Sequence, residues 1–175
     1  TYSSNIQAFQ TYQARVNAVP VNADGLDVDA LARMLAEASV QNDVPKLLYT
    51  IPTFSNPSGA TLSTQRRLRL LELAVQYQMV IVEDDPYSDL RFSGEPVPSL
   101  MALARQVPGA EAWVVHLASL SKIVAPGLRV GWAGAPLEIL RRCSVAKQSA
   151  DVGSSPWTQS IAAEYLASDR LGGHL

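Results

Sequence analysis

Residues 79–90, "MVIVEDDPYSDL", decide how this chain folds. Four apolar residues, Met79 to Val82, lead without alternation into three consecutive acids, Glu83, Asp84 and Asp85. An apolar run of this length is a strand buried on both faces, because a sheet with one wet face would alternate. Three carboxylates cannot be buried unpaired. They therefore mark the end of the strand, where solvent, a metal or a cationic partner meets them.

Outward from this stretch the same grammar repeats. "KLLYTI" (46–51) and "AWVVHL" (112–117) are further apolar strands, and "LRVGWAG" (128–134) is a weaker one, interrupted by Gly131 and Gly134. "RVNAVPV" (15–21) also reads as a short strand, followed by a turn at "NADG". Between the strands lie helical patterns. "NIQAFQTYQA" spaces Ile6, Phe9 and Tyr12 along one face. In 26–39, Val28, Leu31, Leu35 and Ala38 share a face behind an acidic first turn. Ser63 is a suitable N-cap for a helix that turns Leu68, Leu71 and Val75 to a core. Residues 136–150 and 154–168 close the chain as helices, each with an early proline. This alternation predicts an α/β fold, a mostly parallel sheet with helices on both faces.

Composition narrows the function. The 175 residues are 47% hydrophobic, 17% charged and 7% aromatic, with a net charge of −2 and a pI near 5.6. That balance gives no footing for a nucleic-acid surface. Arg66, Arg67 and Arg69 form the one basic cluster, and on a helix they read as a solvated face. A single cysteine, Cys143, excludes an intrachain disulfide and suits a reducing, cytoplasmic compartment. No apolar run reaches the roughly 20 residues of a membrane span, and no signal peptide is expected. The chain starts at Thr1 in what reads as the middle of a domain, so a fragment is expected.

Ligands of parallel α/β sheets bind beyond the carboxyl ends of strands. After "KLLYTI" the loop 52–63 presents Asn56-Pro57-Ser58-Gly59, which is also a common turn sequence. Asn56 offers an amide that donates and accepts. After the second strand stand the three acids with Pro86 and Tyr87. Neither His116 nor His174 is spaced to make them a metal site, so no metal is expected. After "AWVVHL" come Ser119, Ser121 and Lys122, with Arg129 opening the next strand. Two hydroxyls and a guanidinium suit a phosphate. Lys122 is one of three lysines and could as simply be a surface residue. Beside a phosphate cradle, its amine could attack an aldehyde. Pyridoxal 5'-phosphate uses all of these groups: a lysine for the imine, an acid against the pyridine nitrogen and anchors for the phosphate.

Asn56-Pro57-Ser58-Gly59, Asp84-Asp85-Pro86-Tyr87, Ser119-Leu120-Ser121-Lys122 and Pro126-Gly127-Leu128-Arg129 resemble, in order, the motifs of class I/II aminotransferases of PLP fold type I. The branch with 2-aminoadipate and kynurenine aminotransferases is nearest in wording. The resemblance implies a transaminase that moves an amino group from an amino acid to a 2-oxo acid. It implies Lys122 as the lysine bonded to the cofactor and later the proton carrier, and Asp84 as the acid on the pyridine nitrogen. Tyr87 and Asn56 become donors to the phenolic oxygen, and Ser119, Ser121 and Arg129 the phosphate ligands. Pro86 would pack on one ring face and Tyr2 stack on the other, while Asp85 has no matched role. A homodimer is implied as well.

Two parts of the family pattern have no counterpart: the upstream glycine-rich phosphate turn and the downstream small domain with its carboxylate-binding arginine. Arg141, Arg142 and Arg170 read as surface residues rather than replacements. Residues 1–175 are therefore expected to be the central part of the large domain, without its N-terminal segment and without the small domain. Two alternatives remain open: another PLP enzyme such as a C–S lyase or decarboxylase, or the aminotransferase-like effector domain of a winged-helix transcription regulator.

Overall fold

The relative direction of the strands follows from the lengths of the connections between apolar runs. The computed structural model describes residues 3–175. Tyr2, the expected stacking residue, lies outside the described residues. In chain order the elements are α1 (Ser3–Thr11), β1 (Val21–Asn22), β2 (Gly25–Leu26), α2 (Val28–Val40), β3 (Leu47–Thr50), α3 (Thr64–Tyr77), β4 (Val80–Asp84) and α4 (Leu100–Leu103). They continue with β5 (Val114–Ser119), β6 (Gly131–Gly134), α5 (Leu137–Asp151), α6 (Pro156–Ala167) and α7 (Leu171–His174). β1 and β2 form a small antiparallel pair, and the main sheet has the order β3-β4-β5-β6. β3, β4 and β5 run parallel, since the connections between them are long enough to cross over. The short loop 120–130 turns β6 back antiparallel to β5. The expected mostly parallel α/β sheet is thus present.

Local chemistry sets the helix boundaries. Asp27 caps α2, its side chain accepting from the Ala30 N–H, so the helix starts at Val28. Ser63 caps α3 through the Arg66 N–H, as the sequence leads one to expect. α2 buries Val28, Leu31 and Leu35, and α3 buries Leu70, Leu71, Leu73 and Ala74. These pack on Leu48, Ile81 and Val114 from β3, β4 and β5 and on Leu100 and Leu103 from α4. Burying each such leucine fully contributes about 1.5–3 kcal/mol.

Two readings of the sequence change. The strand expected over 15–21 shrinks to Val21–Asn22, because Pro20 has no N–H to donate and Val16 lies exposed. The glycines that weaken the 128–134 run sit at close approaches, Gly131 to the paired strand β5 and Gly134 to the Met101 side chain of α4. A Cβ on Gly131 would sit 2.9 Å from the Ala118 carbonyl oxygen, and one on Gly134 would sit 2.9 Å from the Met101 sulfur.

Candidate active site

The register aligns the chemistry. Thr50 pairs with Glu83, Asp84 with Leu117, and Ser119 with Gly131. The carboxyl ends of β3, β4 and β5 and the start of β6 therefore lie at one end of the sheet. The loops carrying Asn56, then Pro86 and Tyr87, then Ser119 to Arg129, all open there.

The loop after β3 is held by its own backbone. Ser55 N–H donates to the Ala60 carbonyl at 2.8 Å, and Gly59 N–H to the Ser55 carbonyl at 2.6 Å. Gly59 has φ +71°, a conformation that favours glycine, and the Asn56–Pro57 bond is cis. Asn56 is exposed at the tip.

At the end of β4 the three acids separate. Strand pleat turns Glu83 inward, where it is fully buried, and leaves Asp84 half-buried on the other face. Tyr49 on β3 donates its hydroxyl to Asp84 Oδ2. Burial, together with this bond to Asp84 and its charge, pushes the Tyr49 phenol far above its ordinary range. Tyr49 is thus a fixed donor that engages one carboxylate oxygen. Asp85 is buried as well, its Oδ1 without a hydrogen-bond partner. Burial pushes its carboxyl up, aided by the Glu83 charge and opposed by hydrogen bonding to Ser88 and by His116. Tyr87 and Pro86 are half-buried beside them.

The third cluster is one hairpin loop. Ser119 Oγ lies 2.9 Å from Ser121 Oγ and accepts from the Ser121 N–H at 3.1 Å. Leu120 N–H donates to the Val130 carbonyl at 3.0 Å, closing the loop. Lys122 is exposed in the turn, flanked by buried Leu120 and Ile123, which pack with Ala162 of α6. Arg129 takes a left-handed conformation at φ 53° and ψ 36°, and its exposed guanidinium donates to the Pro126 carbonyl at 3.3 Å. Arg141, Arg142 and Arg170 are exposed on or beside helices.

One expectation is overturned. Arg67 is not part of a solvated face; it is fully buried. Its Nε donates to the Leu62 carbonyl at 3.0 Å, and its Nη2 to the Pro52 carbonyl at 3.0 Å and Thr53 Oγ1 at 2.8 Å. Its Nη1 donates to the Pro98 carbonyl at 3.1 Å and lies 3.8 Å from Glu83 Oε1. Glu83 also accepts from the Leu100 and Met101 N–H groups at 2.7 and 3.2 Å and sits 2.8 Å from His116 Nδ1. Position 67 stands three and four residues before Leu70 and Leu71, which places it on the core face of α3. That spacing was the available signal. Tyr49 was missed too, since within "KLLYTI" it reads only as a strand residue.

Among the described residues no group of three His, Cys, Asp or Glu could hold a metal, and no helix is long and apolar enough to cross a membrane. The sequence model of the family described as aminotransferase class I and II matches residues 1–172. Aromatic-amino-acid aminotransferase 1 of Thermococcus litoralis is 42% identical over 175 residues, covering 100% of this chain and 41% of that protein. The crystal structure of Pyrococcus horikoshii kynurenine aminotransferase in complex with PMP matches with a TM-score of 0.94 at 39% identity, covering 99% of this chain and 42% of that one. An uncharacterized HTH-type transcriptional regulator of Bacillus subtilis, YisV, is 34% identical over 175 residues, 100% of this chain and 34% of its own length. The chain spans 34–42% of the length of these relatives.

Proposed function

Because the chain belongs to the aminotransferase class I and II family, we propose that the intact protein is a pyridoxal-phosphate-dependent transaminase. It would move an amino group from an amino acid to a 2-oxo acid. The observation that carries this reading is the register that brings Asp84, the Asn56 loop and the Ser119–Arg129 hairpin to one end of the sheet.

The donor set fits the cofactor. When bound, pyridoxal phosphate supplies a ring that takes up the electron pair left as the substrate Cα–H bond breaks. Asp84, with Oδ2 engaged by Tyr49, keeps its other oxygen for the ring nitrogen. The Ser119 and Ser121 hydroxyls and the exposed Arg129 fork suit the phosphate. Asn56 and Tyr87 would donate to the phenolic oxygen and Pro86 would pack against the ring; Tyr2 is the residue proposed for the other face. Lys122 would be the residue that holds the cofactor's aldehyde carbon, and its amine would then be free to carry a proton.

Residues 1–175 are in this reading the central part of a larger cofactor-binding domain, in a cytoplasmic homodimer. Its support is the partial coverage of the relatives and the exposed Trp132 and Trp157, apolar surface of the kind a further layer of protein covers. Borohydride reduction of the intact protein loaded with pyridoxal phosphate is expected to fix the cofactor on the peptide containing Lys122. Lys122→Ala is expected to abolish both the adduct and amino transfer. A labelled peptide elsewhere would refute the assignment. The likeness to YisV supports a second reading, an effector domain. An intact protein that takes up the cofactor, transfers no amino group and binds DNA would favour it.

A further inference from the structure

Arg67 takes no part in the chemistry assigned above, yet its side chain is fully buried and held by four hydrogen bonds. Its four hydrogen bonds end on both feet of the loop that carries Asn56, at Pro52–Thr53 and Leu62, and on Pro98, the far foot of the segment that carries Tyr87. Pro52 and Leu62 are themselves joined, the Leu62 N–H donating to the Pro52 carbonyl at 2.8 Å. Glu83, next to Asp84, accepts from Leu100 and Met101 and so ties the same far foot to the end of β4. Nearer the loop tips a second contact joins the two segments: the Arg91 guanidinium lies 4.6 Å from the centre of the Phe54 ring. A fully buried arginine with a carboxylate beside it is a costly arrangement to keep when hydrophobic residues would fill the space.

We propose that Arg67 is a positioning residue that locks the Asn56 loop and the Tyr87 segment into one unit. The proposal rests on the transaminase reading for its purpose, since Asn56 and Tyr87 are there the two donors to one oxygen of the cofactor. Two donors on separate loops reach one atom only if the loops keep a fixed spacing. The planar guanidinium, with its several donors in one rigid fork, sets that spacing; a lysine, with one nitrogen, cannot reach all of these acceptors.

The test is hydrogen–deuterium exchange of the intact protein without cofactor, followed by titration of the loaded protein. Arg67→Lys is expected to speed exchange in both 52–62 and 85–101 by roughly tenfold or more, as losing bonds from a buried charged donor implies, while α3 stays protected. Arg69→Lys, on the exposed side of α3, is expected to change neither. In the loaded Arg67→Lys protein the visible bands of the cofactor are expected to interconvert at higher pH, because a phenolic oxygen with weaker donors holds its proton more tightly. Faster exchange confined to one segment, or an unmoved titration with both segments loosened, overturns the proposal. Should Arg67→Lys fail to fold, Thr53→Val removes one acceptor from one foot. Loosening of both segments supports the lock, and loosening of 52–62 alone overturns it. If the wild-type protein takes up no pyridoxal phosphate, the transaminase reading fails, and exchange alone decides whether the loops are coupled.

Discussion

Replacing His116 by glutamine is expected to remove a pH-dependent part of the stability of this protein. His116 stands on β5 beside Glu83 of β4, its Nδ1 2.8 Å from a carboxylate oxygen that is itself fully buried. The hydrogen bond to Glu83 holds the imidazole above its ordinary value. Burial opposes that effect, and the charges of Glu83, Asp85 and Asp84 add to it. The fold therefore favours the protonated ring. That contribution is complete below about pH 6.5, the ordinary histidine value, and is lost as pH rises through the raised folded-state value. One proton is involved, so the loss within that window is at most about 1.4 kcal/mol per pH unit. Glu83 keeps the Leu100 and Met101 N–H groups and is not orphaned when the ring becomes neutral. Urea unfolding of wild type and His116→Gln from pH 6 to 9 at constant ionic strength checks this. The difference in unfolding free energy should shrink as pH rises and then level off. A difference that is flat from pH 6, or that grows with pH, would refute the reasoning.

Two other perturbations probe the site. Tyr49→Phe removes a hydrogen bond to a charged acceptor, about 1.5–3 kcal/mol when buried and at the lower end here because Tyr49 and Asp84 are only half-buried; denaturant unfolding reads the loss. The phenolate absorbance missing from that variant should appear in the wild type well above pH 10, and ionisation near the ordinary tyrosine value of about 10 would contradict the Tyr49–Asp84 bond. Gly131→Ala places a methyl 2.9 Å from the Ala118 carbonyl, so β5 and β6 must part. A loss of about 1–3 kcal/mol and weaker uptake of pyridoxal phosphate are expected, and an unchanged melting curve would show that the pair tolerates the methyl.

The strands and their ends were readable because burial and charge change abruptly where a parallel strand emerges, as from Val82 to Asp84. The cap at Ser63 was readable because it rests on one local bond, whereas Asp27, expected inside the first turn, proves to be the cap of α2. What escaped reading depends on partners far apart in sequence. Tyr49 acquires its meaning only from Asp84 in the neighbouring strand, and Arg67 only from carbonyls at Pro52 and Pro98. A charged side chain on a helix is solvated by default, and nothing adjacent to Arg67 announces the buried Glu83 that holds it. The strand expected over 15–21 survives only at Val21, which pairs with Leu26, because Pro20 offers no N–H and Val16 stays exposed.

Because β6 runs opposite to β5, Ser119, Lys122 and Arg129 belong to one short hairpin rather than to three separate crossovers. Their mutual geometry is set by the register of one strand pair, which ends with Ser119 against Gly131. Since β5 is also held by β4, a slip of one residue in that pairing would turn the side chains of β6 to the opposite face and shift Arg129 relative to Ser119. One extra residue between 120 and 130 would disperse this trio.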